Sequence, residues 1–264
     1  LALKSSTTAS AKEPDMLYTV TRAGFGPPFV LVHGWTCDHR SMFPVADAFP
    51  GRAAVLPDLP GHGQSHKTTD YSIASQADAV LAAAPDQAIW IGHSMGAQIT
   101  VEAAARAPGR ILAAVLLDPA QIAPMDAAFA FRDRMAADLA ATQDLPALMR
   151  DFSSRMIVRA ADPPATAALA ECQAAIDPDV ARAGWNAIWR WDGATALAAA
   201  QCPLLVVTVE RTMNRLADLA RLNRRVSTGQ VTGSGHMLQY EVMDQVAPMI
   251  RRFLDLNGLL SPGS

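Results

Sequence analysis

The chain has 264 residues, of which 50% are hydrophobic and 18% charged. A disordered chain buries too little apolar surface to offset its ordering entropy, and this composition excludes one. The net charge of −3 supplies no basic field for counterion release, which argues against nucleic acid as a partner. No apolar run approaches the ~20 residues of a membrane span, so no membrane partner is expected.

Residues 1–15 are small and polar, without the apolar stretch of a signal peptide, and predict a flexible arm. A first strand is expected over 17–22, followed by a turn at Gly24-Phe25-Gly26-Pro27-Pro28. Five short apolar runs then recur, at 29–32, 53–56, 88–91, 113–117 and 204–207, each bounded by turn residues. Continuous apolar runs of this length are strands covered on both faces. Ala-rich helical stretches such as 75–84 and 95–106 lie between them. The alternation predicts an α/β fold with a mostly parallel, doubly wound sheet.

The stretch 121–193 breaks that rhythm. It is rich in Ala, Met and Asp and predicts helices without a strand, inserted between two strands of the sheet. The expected organisation is a core of 16–121 and 196–264 with a helical cap at 122–195. A weak last strand is expected at 226–232. An amphipathic helix follows at 244–256, with Val246, Met249, Ile250 and Phe253 at helical spacing. No internal repeat is present. The three cysteines, Cys37, Cys172 and Cys202, form neither a disulfide framework nor a zinc pattern, so a reducing, cytoplasmic location is expected.

Open parallel sheets bind ligands at the carboxyl ends of their strands. Gly92-His93-Ser94-Met95-Gly96 stands between an apolar run and a helix, the context that a Gly-x-Ser-x-Gly nucleophile elbow requires. The turn is so tight that small residues must flank the serine, and its hydroxyl then projects beside a helix N-terminus. A serine needs a base. Of six histidines, His33, His39, His62, His66 and His93 precede Ser94, whereas in this elbow's fold the base follows. His236, in Gly235-His236-Met237, is left. The turn at His33-Gly34-Trp35 can aim the Trp35 N–H above Ser94, with the Met95 N–H as second oxyanion donor. His33, Trp185 and Trp189 are candidate pocket residues. Aromatic and Met side chains in the insertion, among them Phe131, Phe152 and Met156, suit an apolar or aromatic substrate. The His62/His66 and His33/His39 pairs lack the companions of a metal site, and no phosphate loop appears, so neither metal nor cofactor is expected.

With Asp58-Leu59-Pro60-Gly61-His62-Gly63-Gln64-Ser65 between the His33-Gly34 turn and the elbow, 29–256 resembles the α/β-hydrolase superfamily. The resemblance implies a serine hydrolase with a catalytic triad, an oxyanion hole and a cap, acting on a small ester, lactone or related carbonyl compound. The departure is the acid. The family's usual position, after 204–207, reads Thr208-Val209-Glu210-Arg211-Thr212, with no aspartate. Asp118, at the end of the preceding run, is the first candidate and Glu210 the second. His33-Gly34-Trp35 with Asp38-His39-Arg40 also looks like cofactor-independent dioxygenases that cleave 3-hydroxy-4-oxoquinolines. In those the histidine deprotonates the substrate, and the elbow differs from the one here. A non-catalytic small-ligand receptor is the third reading.

Overall fold

The computed structural model describes residues 9–10, 17–158 and 162–260. Of the expected arm at 1–15, only β1 (Ala9–Ser10) is described, and the remainder lies outside the described residues. β1 pairs antiparallel with β2 (Thr19–Arg22). β3 (Phe25–Val32) corrects one expectation, because residues 25–28 begin a strand and not a turn. The Phe25 N–H donates to Gly51 O at 2.9 Å, and the register with the neighbouring strand shifts between Phe25 and Phe29. Pro27 and Pro28 have no N–H to donate, and they fall at that irregularity, where no ladder bond is lost.

A 3-10 turn at His39–Met42 leads into α1 (Phe43–Asp47), then β4 (Arg52–Pro57), α2 (Ile73–Ala83), β5 (Ala88–His93), α3 (Met95–Arg106) and β6 (Ile111–Leu117). Among the described residues, five helices follow before the next strand: α4 (Asp126–Ala141), α5 (Leu145–Arg155), α6 (Pro163–Ala174), α7 (Pro178–Arg190) and α8 (Gly193–Ala199). Aspartates Asp144, Asp162, Asp177 and Asp192 cap the last four, each side chain accepting from a first-turn amide. Such caps are worth about 1 kcal/mol apiece. β7 (Leu204–Thr208), α9 (Leu216–Leu222), β8 (Val226–Gln230), α10 (Leu238–Glu241) and α11 (Met243–Leu256) complete the fold. Among the described residues, no helix is long and apolar enough to cross a membrane.

The eight-stranded sheet has the order β1-β2-β4-β3-β5-β6-β7-β8. From β4 to β8 every pairing is parallel. Side chains alternate between the two faces, as the strand repeat of two demands. Val30, Val32, Trp90, Ala114, Leu116 and Val206 pack on the face covered by α2, α3, α8 and α9. Phe29, Leu31, Ile89, Ile91, Val115 and Val207 pack on the other, toward α1 and α11. Both faces are thus removed from water, which is why the runs read as unbroken apolar stretches.

Parallel pairing places all the carboxyl ends of β3 to β8 on one edge. The registers Val32↔Gly92, His93↔Leu117 and Leu117↔Val207 set the ends of β3, β5, β6 and β7 nearly level. α3 then packs against the backbone of β3 at almost no clearance. A Cβ on Gly96 would stand 2.3 Å from Val32 O and 2.4 Å from His33 O. Gly96→Ala is therefore expected to destabilise the fold by at least about 1–3 kcal/mol, because both clashes are with backbone. Gly51→Ala, where a Cβ meets nothing within 4 Å, should shift stability by no more than about 0.5 kcal/mol. Urea unfolding of both variants checks the contrast, and equal midpoints would refute it.

Candidate active site

Ser94 follows β5 directly and precedes the first residue of α3. Its backbone is left-handed, at φ 55° and ψ −117°. A Cβ on Gly92 would lie 2.2 Å from Gly96 O, so the sharp turn exists only because both flanking positions lack one. Among the described residues, three non-glycine residues have φ in the left-handed region: Thr36 (60°), Ser94 (55°) and Asp118 (35°). They stand just beyond β3, β5 and β6. Each costs of order 1–3 kcal/mol and persists only where its surroundings over-determine it.

The loop after β8 carries His236. Its Nδ1 lies 2.6 Å from Asp118 Oδ2. A carboxylate only accepts, so Nδ1 carries the proton and Nε2 is left with its lone pair. Asp118 is almost fully buried, its own N–H donates to Val207 O at 2.7 Å, and its Oδ1 accepts from the Val209 N–H at 3.4 Å. Glu210 is elsewhere: it is exposed, and Thr232 Oγ1 donates to it at 3.3 Å. Between the two candidates for the acid, only Asp118 reaches His236.

Ser94 and His236 line one cavity, together with Gly34, Trp35, Trp185, Trp189, Phe131 and Phe152. Its volume is about 40 Å³. Cys37, His93, Ala120, Met156, Gln173, Ile188, Met213 and Met237 complete the described wall, and none of the described lining residues is an Asp, Glu, Lys or Arg. A Cβ on Gly34 would stand 3.2 Å from Ser94 Cβ, so the Gly34-Trp35 backbone runs in contact with the elbow. Trp35 joins the sheet to the inserted helices. Its Nε1 donates to Ala181 O at 2.9 Å, and its ring packs on Trp185 and Phe152 with centroids 5.0 and 5.4 Å apart. Gln173 Nε2 adds a bond to Thr36 Oγ1 at 3.1 Å.

His33 is a correction. It was expected in the pocket, but it is fully buried beneath the turn and is not part of the cavity wall. Its Nδ1 donates to Gly34 O at 2.8 Å, and its Nε2 accepts from the Leu59 N–H at 2.9 Å. It braces the Gly34-Trp35 turn against the Asp58 loop. Asp58 is the hub of that loop: its Oδ1 accepts from the His39 N–H and Nδ1, and its Oδ2 from the Gln64 N–H. Burial pushes the Asp58 carboxyl up, but these donors and the nearby His33 outweigh it and hold the group below the ordinary carboxylate range. Asp38, His39 and Asp58 bring metal-ligand atoms within 4.8 Å of one another. Arg40 engages Asp38, and the bonds above engage the other two, so the cluster acts as a hydrogen-bonded brace.

His93 and Asn214 were not singled out from the sequence, and both touch the site. His93 is buried beside Ser94, and its Nε2 donates to the backbone carbonyl of His236 at 2.9 Å. Burial, helped by His236, drives the His93 imidazole well below its ordinary range, so the ring stays neutral. Its place inside the elbow motif was the one available signal. Asn214, in the loop after β7, turns its side chain to the backbone of residues 119–122 and has no sequence signature.

Comparison with known proteins agrees with this architecture. The chain belongs to the alpha/beta hydrolase family, whose profile matches residues 29–249. The pimeloyl-[acyl-carrier protein] methyl ester esterase of Methylococcus capsulatus is 39% identical over 99 residues, which span 37% of this chain and 39% of that protein. Among solved structures, an esterase from Thermogutta terrifontis superposes with a TM-score of 0.76 at 18% identity, covering 97% of this chain and 99% of its own. The enol-lactonase of Burkholderia xenovorans gives 0.74 at 21% identity, covering 90% and 97%. At these identities the two structures share the fold.

Three buried histidines tie stability to pH. Burial pushes His62 down to about 3, with His33 adding to the effect, and it lowers His33 and His93 as well. Below about pH 6.5 the unfolded chain takes up protons that the folded chain refuses. Stability is therefore full above that pH and is lost as pH falls toward 3, by up to about 1.4 kcal/mol per unit for each group. His62→Asn should lose stability less steeply between pH 6 and pH 4, by roughly 1 kcal/mol per unit. Urea unfolding at several pH values gives the two slopes, and equal slopes would show that His62 is not held neutral.

Proposed function

We propose that this chain is a serine hydrolase acting on a small, uncharged, apolar or aromatic ester, lactone or related carbonyl compound. The observation that carries the reading is the His236–Asp118 bond, made by two loops that converge on the cavity holding Ser94. Ser94 Oγ attacks the carbonyl carbon while His236 Nε2 takes its proton. The oxyanion is held by the N–H groups of Trp35 and Met95, each worth about 3–4 kcal/mol in a comparable site. His236 then passes the proton to the departing alcohol. Water, deprotonated by the same nitrogen, releases the acyl group and restores Ser94. Asp118 keeps the imidazole in the Nδ1–H tautomer and stabilises its cation.

In this reading the segment 122–195 is a cap that excludes bulk water and selects the substrate. None of the described wall residues is an Asp, Glu, Lys or Arg, which supports a neutral substrate, because a carboxylate among these side chains would lose its hydration without a partner. The esterase name of the Methylococcus relative supports ester chemistry; its acyl-carrier substrate is not carried over. We place the protein in the cytoplasm, its three free thiols being consistent with that compartment.

A fluorophosphonate probe should label the wild type and fail to label Ser94→Ala. His236→Ala should lower kcat on p-nitrophenyl butyrate by about 10⁴-fold or more. Cleavage of a 3-hydroxy-4-oxoquinoline would need only the His236–Asp118 pair. Oxygen uptake that survives in Ser94→Ala would replace the hydrolase reading with that one. Ligand binding without turnover of any ester would favour the receptor.

A further inference from the structure

Asp118 reaches His236 from a backbone position that ordinary residues avoid, and the segment after it has no regular secondary structure to hold it. Three backbone groups of that segment meet one side chain. Asn214 Oδ1 accepts from the Ile122 N–H at 2.8 Å, and its Nδ2 donates to Pro119 O at 2.8 Å and Ala120 O at 3.4 Å. Asn214 is 3% exposed. The pattern is fixed in orientation, because a donor faces its oxygen and two acceptors face its nitrogen. No other neutral side chain of this length offers both functions at one terminus. The same segment is tied to the elbow, since the Ala120 N–H donates to Ser94 O at 3.3 Å, and to α3, where Gln98 Nε2 donates to Gln121 O at 2.7 Å.

Asn214 comes from the loop after β7, the loop in which the family's usual pattern would place the acid. Here that loop presents an amide to the backbone beside an acid that sits one strand earlier. We propose that Asn214 is a positioning residue for Asp118: by clamping residues 119–122 it holds the carboxylate where it meets His236 Nδ1. The inference rests on the reading of Asp118 as the partner of the general base. Asn214 touches neither substrate nor the reacting atoms; the effect proposed for it passes through Asp118.

The test is a kinetic double-mutant cycle on p-nitrophenyl butyrate, with the rate of fluorophosphonate labelling followed in parallel. Asn214→Ala should lower kcat by about 10- to 100-fold, as a misplacement near 1 Å does, with KM within about twofold of wild type. Asn214→Asp, of nearly the same size, should behave alike, because a carboxylate oxygen would face two carbonyl oxygens. In the Asp118→Ala background the same Asn214→Ala change should cost less than about twofold, since the group it positions is gone. An equal cost in both backgrounds would overturn the proposal and leave Asn214 as a structural residue. So would a rise in KM with kcat unchanged. If Asp118→Ala itself keeps wild-type kcat, the assignment of the acid fails, and the proposal with it, by a separate signature. Should Asn214→Ala not fold, Asn214→Asp enters the cycle in its place.

Discussion

The turn from β5 into α3 has no room for a Cβ two residues to either side of Ser94, at Gly92 and Gly96, and the rest of the site is built around that constraint. Gly92 and Gly96 let the strand meet the helix backbone to backbone, and Gly96 lies against the carbonyls of Val32 and His33. The serine between them has no choice but the left-handed conformation. Its side chain is thereby set at the edge of the sheet, beside the turn that follows β3. A serine on an ordinary strand-to-helix loop would point in no fixed direction.

Strain of this kind needs support, and the support is legible bond by bond. Thr36 and Asp118 share the left-handed backbone of Ser94 and stand at the ends of the two flanking strands. Thr36 is held by Gln173 from α6, Asp118 by the β7 backbone, and the segment after it by Asn214. Below them His33 and Asp58 lock the neighbouring loop. His93 ties the elbow to the backbone of His236, so the Ser94 turn and the His236 loop are referenced to each other through a neutral ring. Together these bonds turn six separate loops into one rigid frame, which is what a preorganised site requires.

Much of this was legible in the residues and some was not. The five apolar runs became β3 to β7 because strands buried on both faces need no polar alternation, and such runs bounded by turn residues are hard to misread. The 24–28 segment misled because Gly and Pro are turn formers in general, whereas here a register shift absorbs them. His33 misled for another reason. A histidine at a strand end reads alike whether its ring turns toward the cavity or beneath the loop, and only its partners Gly34 O and the Leu59 N–H decide it. Asn214 was invisible because an asparagine in a loop carries no pattern, and its three partners lie more than 90 residues away in the chain.

By itself, the sequence determined the strand and helix alternation and the tight turn that carries Ser94, and it singled out His236 as the candidate partner. Those follow from local rules: apolar runs, glycines flanking a serine, and chain order. Which carboxylate stands at His236 was left to the tertiary structure. Asp118 and Glu210 both follow strands, and the sequence ranked Asp118 first without placing either beside the imidazole. Strand order and the left-handed turn after β6 bring one carboxylate to within 2.6 Å of the imidazole and leave the other in solvent. A hydrogen bond between residues 118 positions apart is a property of packing, and no stretch of chain carries it alone.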